Sequence, residues 1–181
     1  MLLLPEPWMD YVAVLALSIL LSVLAFKMDL LTKSGCISAA IMGFVIGICG
    51  SLSWLLLLIV FTLLGFAATL VGLSKKKEKG LQEGTHGERS YKNVLGVGLP
   101  SCVFALLNLI TQDAHYYLMT IGYISTIAVA AADTTASELG TKDPRVYLIT
   151  TLKRVEPGTD GGISPFGTLV SLIASIVVSF I

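Results

Sequence analysis

The sequence predicts an all-α, polytopic integral membrane protein of about six transmembrane or partly re-entrant helices, and three observations predict it. The 181 residues are 55% hydrophobic and only 13% charged, whereas average soluble domains carry about 25% charged residues. Mean hydropathy is +0.85, which excludes an ordinary soluble enzyme or binding module of this length. The apolar residues are also gathered into runs near the length that crosses a bilayer, about 17 to 25 residues for a helix.

The first run, residues 8–26, has no basic segment before it and no small-residue cleavage pattern, so it reads as a retained span and not as a signal peptide. The second, residues 36–50, is short and carries Gly43, Gly47 and Gly50; a tilted, broken or partly re-entrant helix fits it as well as a plain span. Ala39, Gly43 and Gly47 share a face at helical spacing, and a small-residue face of that kind suits close helix packing better than ligand contact. Residues 52–73, 94–110 and 116–132 supply three further spans, and 163–181 the sixth. The last run ends the sequence at VVSFI, which fits either a final span or a chain truncated at its carboxyl end. No long internal repeat and no separate soluble region stand out, so 1–181 reads as a single membrane domain. Cys36, Cys49 and Cys102 lack the spacing of a zinc site or a disulfide framework and read as buried free thiols.

Twelve basic residues balance twelve acidic ones; the total therefore points to no anionic partner, and no nucleic-acid partner is expected. Their distribution is informative. Lys27 and Lys33 follow the first run, Lys75, Lys76, Lys77, Lys79, Arg89 and Lys92 follow the third, and Lys142, Arg145, Lys153 and Arg154 follow the fifth. All the basic residues thus fall on one side of the membrane, with Glu6, Asp10 and Asp113 on the other. Positive residues in short loops stay cytoplasmic, so both termini are expected outside and three charged connections inside. The expected location is the plasma membrane of a prokaryote.

Three polar elements then share the cytoplasmic side: KMDLLTKSG at 27–35, KKKEKGLQEGTHGERSYKN at 75–93, and a third from AADTTASELG at 131–140 to KRVEPGTDGGISPFG at 153–167. Asp133 follows an almost unbroken apolar run, and a carboxylate near membrane depth is costly unless it faces a cavity, a partner or an ion. On a helix, Asp133, Ser137 and Gly140 share a broad face with Glu138 nearby. Asp133 and Glu138 can therefore offer two oxygen donors to one hard cation such as Mg2+, which commonly shares its shell with phosphates. The plainer reading is a helix-end carboxylate answered by Lys or Arg. In PGTDGGISPFG, Gly158, Gly161 and Gly162 can expose amide N–H groups to phosphate, with hydroxyls from Thr159 and Ser164; a flexible turn back into the membrane is the alternative. It is not a Walker A loop, since no GKS or GKT follows. The basic connection at 75–92 has six basic against three acidic residues. Its positive charge suits either phosphate neutralisation, with Arg89 and Lys92 placed for it and Glu83 or Glu88 orienting, or simple retention against anionic headgroups. His86 and His115 have no partner at metal-ligand spacing.

These motifs together resemble the integral membrane family called domain of unknown function 92, which contains transmembrane protein 19 and the plant chloroplast phytyl-phosphate kinase. The resemblance runs over roughly residues 30–181 and rests on SKKKEKGLQEGTHGERSYKNVLG, AADTTASELG and PGTDGGISPFG. It implies a multi-helix membrane enzyme that transfers a phosphoryl group from a nucleoside triphosphate, plausibly CTP, to a phosphorylated isoprenoid alcohol with Mg2+. By motif it points to Asp133 and Glu138 as metal ligands, to Gly158, Thr159, Asp160, Gly161, Gly162 and Ser164 for donor phosphate, and to Lys79, Glu83, Arg89 and Asn93 in the basic motif. Lys79 and Arg89 would neutralise phosphate. The implied partners are an isoprenyl phosphate, the nucleoside triphosphate and membrane lipid; a homo-oligomer is compatible with this reading.

The favoured reaction converts an isoprenyl monophosphate to its diphosphate. A phosphate monoester with a second pKa near 6 is already substantially anionic at neutral pH, so positioning and charge neutralisation can carry the transfer. One alternative is a kinase acting on a free prenyl alcohol, which would need Asp133 or Asp160 as a base. Another is a transporter in which Asp133 is an intramembrane ion site.

Overall fold

The computed structural model describes residues 7–78, 88–111 and 114–181. Six α-helices run in order: α1 Pro7–Lys27, α2 Lys33–Cys49, α3 Leu52–Glu78, α4 Tyr91–Ile110, α5 Tyr116–Leu139 and α6 Pro165–Ser179. Four are long and apolar enough to cross a membrane, and α2 and α6 are shorter apolar helices. At 1.5 Å per residue the 17 residues of α2 rise about 25 Å, close to the hydrocarbon thickness of about 30 Å. Large aliphatic side chains such as Leu15, Leu63, Leu106 and Leu172 stay exposed, as expected of helices solvated by lipid tails whose backbone polar groups are satisfied internally. The chain is an all-α polytopic membrane protein with a helix for every expected span. α3 runs on past its apolar stretch to Glu78, where lysine and glutamate continue a helix readily, and α5 runs on to Leu139 through DTTASEL, with the hydroxyls of Thr135 and Ser137 bonded back to Ala131 O and Thr134 O.

The helices pack in two compact units. The first comprises Met1–Val60 and Glu88–Ile127. Within it α1 lies on the small-residue face of α2: a Cβ on Gly43 would stand 3.0 Å from Ser18 Oγ, and one on Gly47 would stand 2.5 Å from Val14. The face does what small residues do between membrane helices, which is to let backbones approach. α2 and α4 are tied at both ends. Thr32 N–H donates to Arg89 O at 3.1 Å and Arg89 N–H to Leu30 O at 3.0 Å, while at the far end Asn108 Nδ2 donates to Cys49 O at 3.1 Å. The two helices therefore run side by side in the same direction, and α2 is continuous in spite of its glycines. α3 meets α5 through Trp54 and Tyr123, whose rings stack at 4.4 Å and whose phenol O–H donates to Trp54 O at 2.6 Å.

The second unit comprises Phe61–Gly87 and Ala128–Ile181. It holds the later turns of α3 and α5, then α6, and between the last two a structure that helix periodicity does not foresee. A 3₁₀ turn Gly140–Lys142 leads into three short strands, β1 Val146–Leu148, β2 Arg154–Val155 and β3 Gly162–Ile163. All pairing is antiparallel, in the order β2-β1-β3. The run VYLITTLKRV carries the β-branched and aromatic residues that favour such pairing.

Candidate functional site

The ends of α5 and α6 meet through glycine. A Cβ on Gly167 would stand 3.3 Å from Gly140 Cα and 2.9 Å from Ser164 Oγ, so any side chain there would force the helices apart. Ser164 is the N-cap of α6: its hydroxyl accepts from Gly167 N–H at 3.0 Å and is directed at Gly140 O at 3.4 Å. Pro165 follows at the first helical position, where its missing N–H costs nothing.

Asp143 locks the same corner. Its carboxylate is buried and accepts from Arg145 N at 2.9 Å, Arg145 Nε at 3.1 Å, Arg145 Nη2 at 3.3 Å and Phe166 N at 3.2 Å. A negative group at the first turn of a helix also opposes the helix dipole favourably. The hydrogen bonds from Arg145 hold the Asp143 carboxyl below its ordinary value of 3.8. A carboxyl lowered on folding adds stability above its unfolded pKa, and that stability is lost as pH falls through the folded one. We therefore expect the unfolding midpoint of the detergent-solubilised protein to drop below about pH 4. Asp143→Asn should be less stable at neutral pH and show a flatter acid limb. Equal acid limbs in pH-dependent thermal melts would contradict this role.

These elements enclose a cavity of about 670 Å³, lined by Asp133, Ala136, Ser137 and Gly140 on one side, Gly158 to Ser164 on another, and Gly167, Thr168 and Ser171 of α6. Two carboxylates, Asp133 and Asp160, line it; among the described residues no lysine or arginine does. The glycine-rich turn is shaped by backbone geometry, since Gly158 at φ 96° and Gly161 at φ 74° take the left-handed conformation that only glycine adopts without strain. Inside the turn, Thr159 N–H donates to Glu156 O, Gly162 N–H donates to Thr159 O, and the Thr159 hydroxyl donates to Glu156 O. Gly162, Thr159 and Ser164 thus spend their donors on the turn and the helix cap. Among the described residues, the amides of Gly158, Asp160 and Gly161 have no internal acceptor and are the ones open to a phosphate.

The structure brings Asp133 together with all six residues of the glycine-rich motif. Glu138 is elsewhere on α5. Five residues on, it is turned about 140° around the helix; it is buried and close to Gly72 of α3, where a Cβ would stand 2.5 Å from Glu138 O, and it is not among the lining residues. Arg89 and Asn93 belong to the first unit. Arg89 is stitched by its backbone to the start of α2, and Asn93 Oδ1 accepts from Ser90 N and Ser90 Oγ at the start of α4. Lys79 and Glu83 lie outside the described residues. Asp143, Thr168 and Ser171 escaped sequence reading. Asp143 sits in TKDPR, where an Asp-Pro pair marks a turn, but nothing local reveals that its carboxylate reaches Phe166.

Among the described residues no three of His, Cys, Asp and Glu converge to cage a metal ion. The donor set at the cavity, two carboxylates beside amides without an internal acceptor, fits Mg2+, which keeps several waters and binds through one or two carboxylates plus substrate phosphates.

No solved structure matches the chain. It is 39% identical to an uncharacterized membrane protein of Methanocaldococcus jannaschii, covering 93% of this chain and 68% of that one. An uncharacterized membrane protein of Synechocystis is 31% identical, over 96% of this chain and 67% of its own length. The chloroplastic protein VTE6 of Arabidopsis thaliana is 34% identical over 70% of this chain but only 41% of its own. The profile of the family described as integral membrane protein DUF92 matches residues 16–181, and the chain belongs to that family.

Proposed function

We propose that this protein is a Mg2+-dependent kinase that transfers the terminal phosphoryl group of CTP or another nucleoside triphosphate to an isoprenyl monophosphate. The bond between the β-γ bridging oxygen and the γ-phosphorus breaks, a bond from the acceptor's phosphate oxygen to that phosphorus forms, and the nucleoside diphosphate leaves. Family membership, with the phosphoryl transfer that the motif resemblance implies, supports the reaction class. The observation that carries the reading is the cavity whose lining pairs two carboxylates with a glycine-rich turn and, among the described residues, contains no cationic side chain. A phosphate held there by the amides of the turn also faces Asp133 and Asp160, whose repulsion a divalent cation would offset. Asp133 and Asp160 would hold Mg2+, which would supply charge neutralisation for the donor phosphates.

The amides of Asp160 and Gly161 bind phosphate oxygens and fix the direction of the transferred group. A phosphate acceptor needs no general base, because its attacking oxygen is substantially ionised at neutral pH. Lys79, Glu83, Arg89 and Asn93 remain assigned by motif, the basic pair as phosphate partners, while Glu138, a metal ligand by motif, faces α3 and stands outside the cavity lining. The apolar tail of the acceptor lies in the lipid beside the spans.

The test incubates the purified protein in lipid vesicles with labelled CTP or ATP, Mg2+, and either geranylgeraniol or its monophosphate. Label in geranylgeranyl diphosphate supports the proposal, label in the monophosphate means an alcohol kinase, and no transfer from either nucleotide to either acceptor overturns both.

The active site is proposed on the cytoplasmic face of a prokaryotic plasma membrane. Single cysteines at Lys142 and Lys153 are then expected to react with an impermeant maleimide only after permeabilisation, and one at Asp113 without it. Labelling of Lys153→Cys in sealed cells would reverse the orientation.

A further inference from the structure

β1 and β2 form a hairpin whose tip, residues 149–153, exposes large apolar side chains outside the helices. Ile149 is 60% exposed and Leu152 70% exposed, and Leu152 holds φ at 55°. Bulky residues avoid that conformation, which glycine or asparagine would adopt cheaply. Leu152 therefore accepts backbone strain without gaining burial in the protein, so neither the turn nor the core explains a leucine there. Register aligns Tyr147 with Arg154 on one side and with Ile163 on the other, and all three are exposed. Lys153 and Arg154 follow the tip and are exposed as well. Aliphatic, aromatic and basic side chains on one small surface match the chemistry of a lipid interface, where rings sit at headgroup level and cations meet anionic phosphates. The hairpin connects two membrane helices, α5 and α6, so the leaflet on its own side is within reach.

We propose that this hairpin is a membrane-interface anchor: Ile149 and Leu152 sink into the headgroup–acyl boundary of an anionic leaflet while Lys153 and Arg154 meet lipid phosphates. The anchor is coupled to the cavity by the pairing of β1 with β3 and by the bond from Ile149 N–H to Gly161 O at 2.9 Å, so lipid contact steadies the glycine-rich turn. It does not depend on the kinase reading, since neither nucleotide nor acceptor takes part.

The first test uses the natural full-length chain in vesicles of phosphatidylcholine alone or mixed with phosphatidylglycerol, without nucleotide. Tryptic cleavage after Lys153 and Arg154 should be at least about fivefold slower in the anionic vesicles, and 1 M salt or the double variant Ile149→Asn, Leu152→Asn should abolish the difference. The second places an environment-sensitive fluorophore at Ile149→Cys, Leu152→Cys or, as a solvated control, Glu156→Cys, with Cys36, Cys49 and Cys102 replaced by serine. Labels at 149 and 152 should be quenched by shallow spin-labelled lipid at least about twice as strongly as the control, consistent with burial of about 5–10 Å into the interface. Equal cleavage in both vesicles, or iodide quenching at 149 and 152 equal to that at 156, overturns the anchor. Shielding from iodide without quenching by spin-labelled lipid means that protein covers the hairpin, and overturns it too.

Discussion

Asp133→Asn should lower phosphoryl transfer at least about 100-fold, the upper end of what disturbing a metal-site group produces, while leaving the helical protein folded. The side chain is exposed and lines the cavity, so amide replaces carboxylate with little change in packing. What disappears is half of the negative charge available to a cation there. Asp160→Asn should cause a loss of the same order, and both variants should require more Mg2+ for half-maximal rate. Glu138→Gln should show a smaller loss, because Glu138 is turned toward α3 and away from the cavity lining. The comparison belongs in lipid vesicles across a Mg2+ series, with monodispersity and helicity measured in parallel. Near-normal turnover and Mg2+ response in Asp133→Asn would sink the metal-phosphate assignment. Activity lost together with the fold would make Asp133 a structural carboxylate instead.

Gly167→Val should damage the packing of the second unit strongly. Its Cβ would enter the space held by Ser164 Oγ and the Gly140 backbone, and neither neighbour is the far end of a flexible chain. Overpacking of this kind costs about 1–3 kcal/mol, and loss of the Ser164 cap adds about 1 kcal/mol. Ser164→Ala separates the terms, since it removes the cap without adding volume. Unfolding of detergent-solubilised variants should rank wild type above Ser164→Ala and Ser164→Ala above Gly167→Val. If valine is tolerated with an unchanged melting midpoint, the glycine contact between α5 and α6 does not hold this corner.

Much of this was legible from residues alone. Hydrophobic run length announced the six helices because the bilayer imposes its thickness on any chain that crosses it, and small residues at helical spacing announced a close helix contact on α2 for a similarly local reason, though not that α1 makes it. The acidic and glycine-rich motifs stood out because a carboxylate and a cluster of glycines are expensive beside apolar spans. The limits of that reading are equally physical. Helical periodicity placed Asp133 and Glu138 near one another, yet five residues of rotation send one to the cavity and the other toward Gly72. The glycines were read as a set of equivalent amide donors, but Gly162 donates within its own turn.

The sequence by itself determined the class of the protein, its number of helices and the position of its acidic and glycine-rich motifs, since hydropathy and residue type act through short-range and solvent-wide forces that need no knowledge of neighbours. Only the tertiary structure decided which donors remain free, that Asp160 joins Asp133 at the cavity, and that Asp143 clamps the start of α6. Each of these depends on which groups distant in sequence meet in space, and hydrogen-bond satisfaction is settled by those meetings.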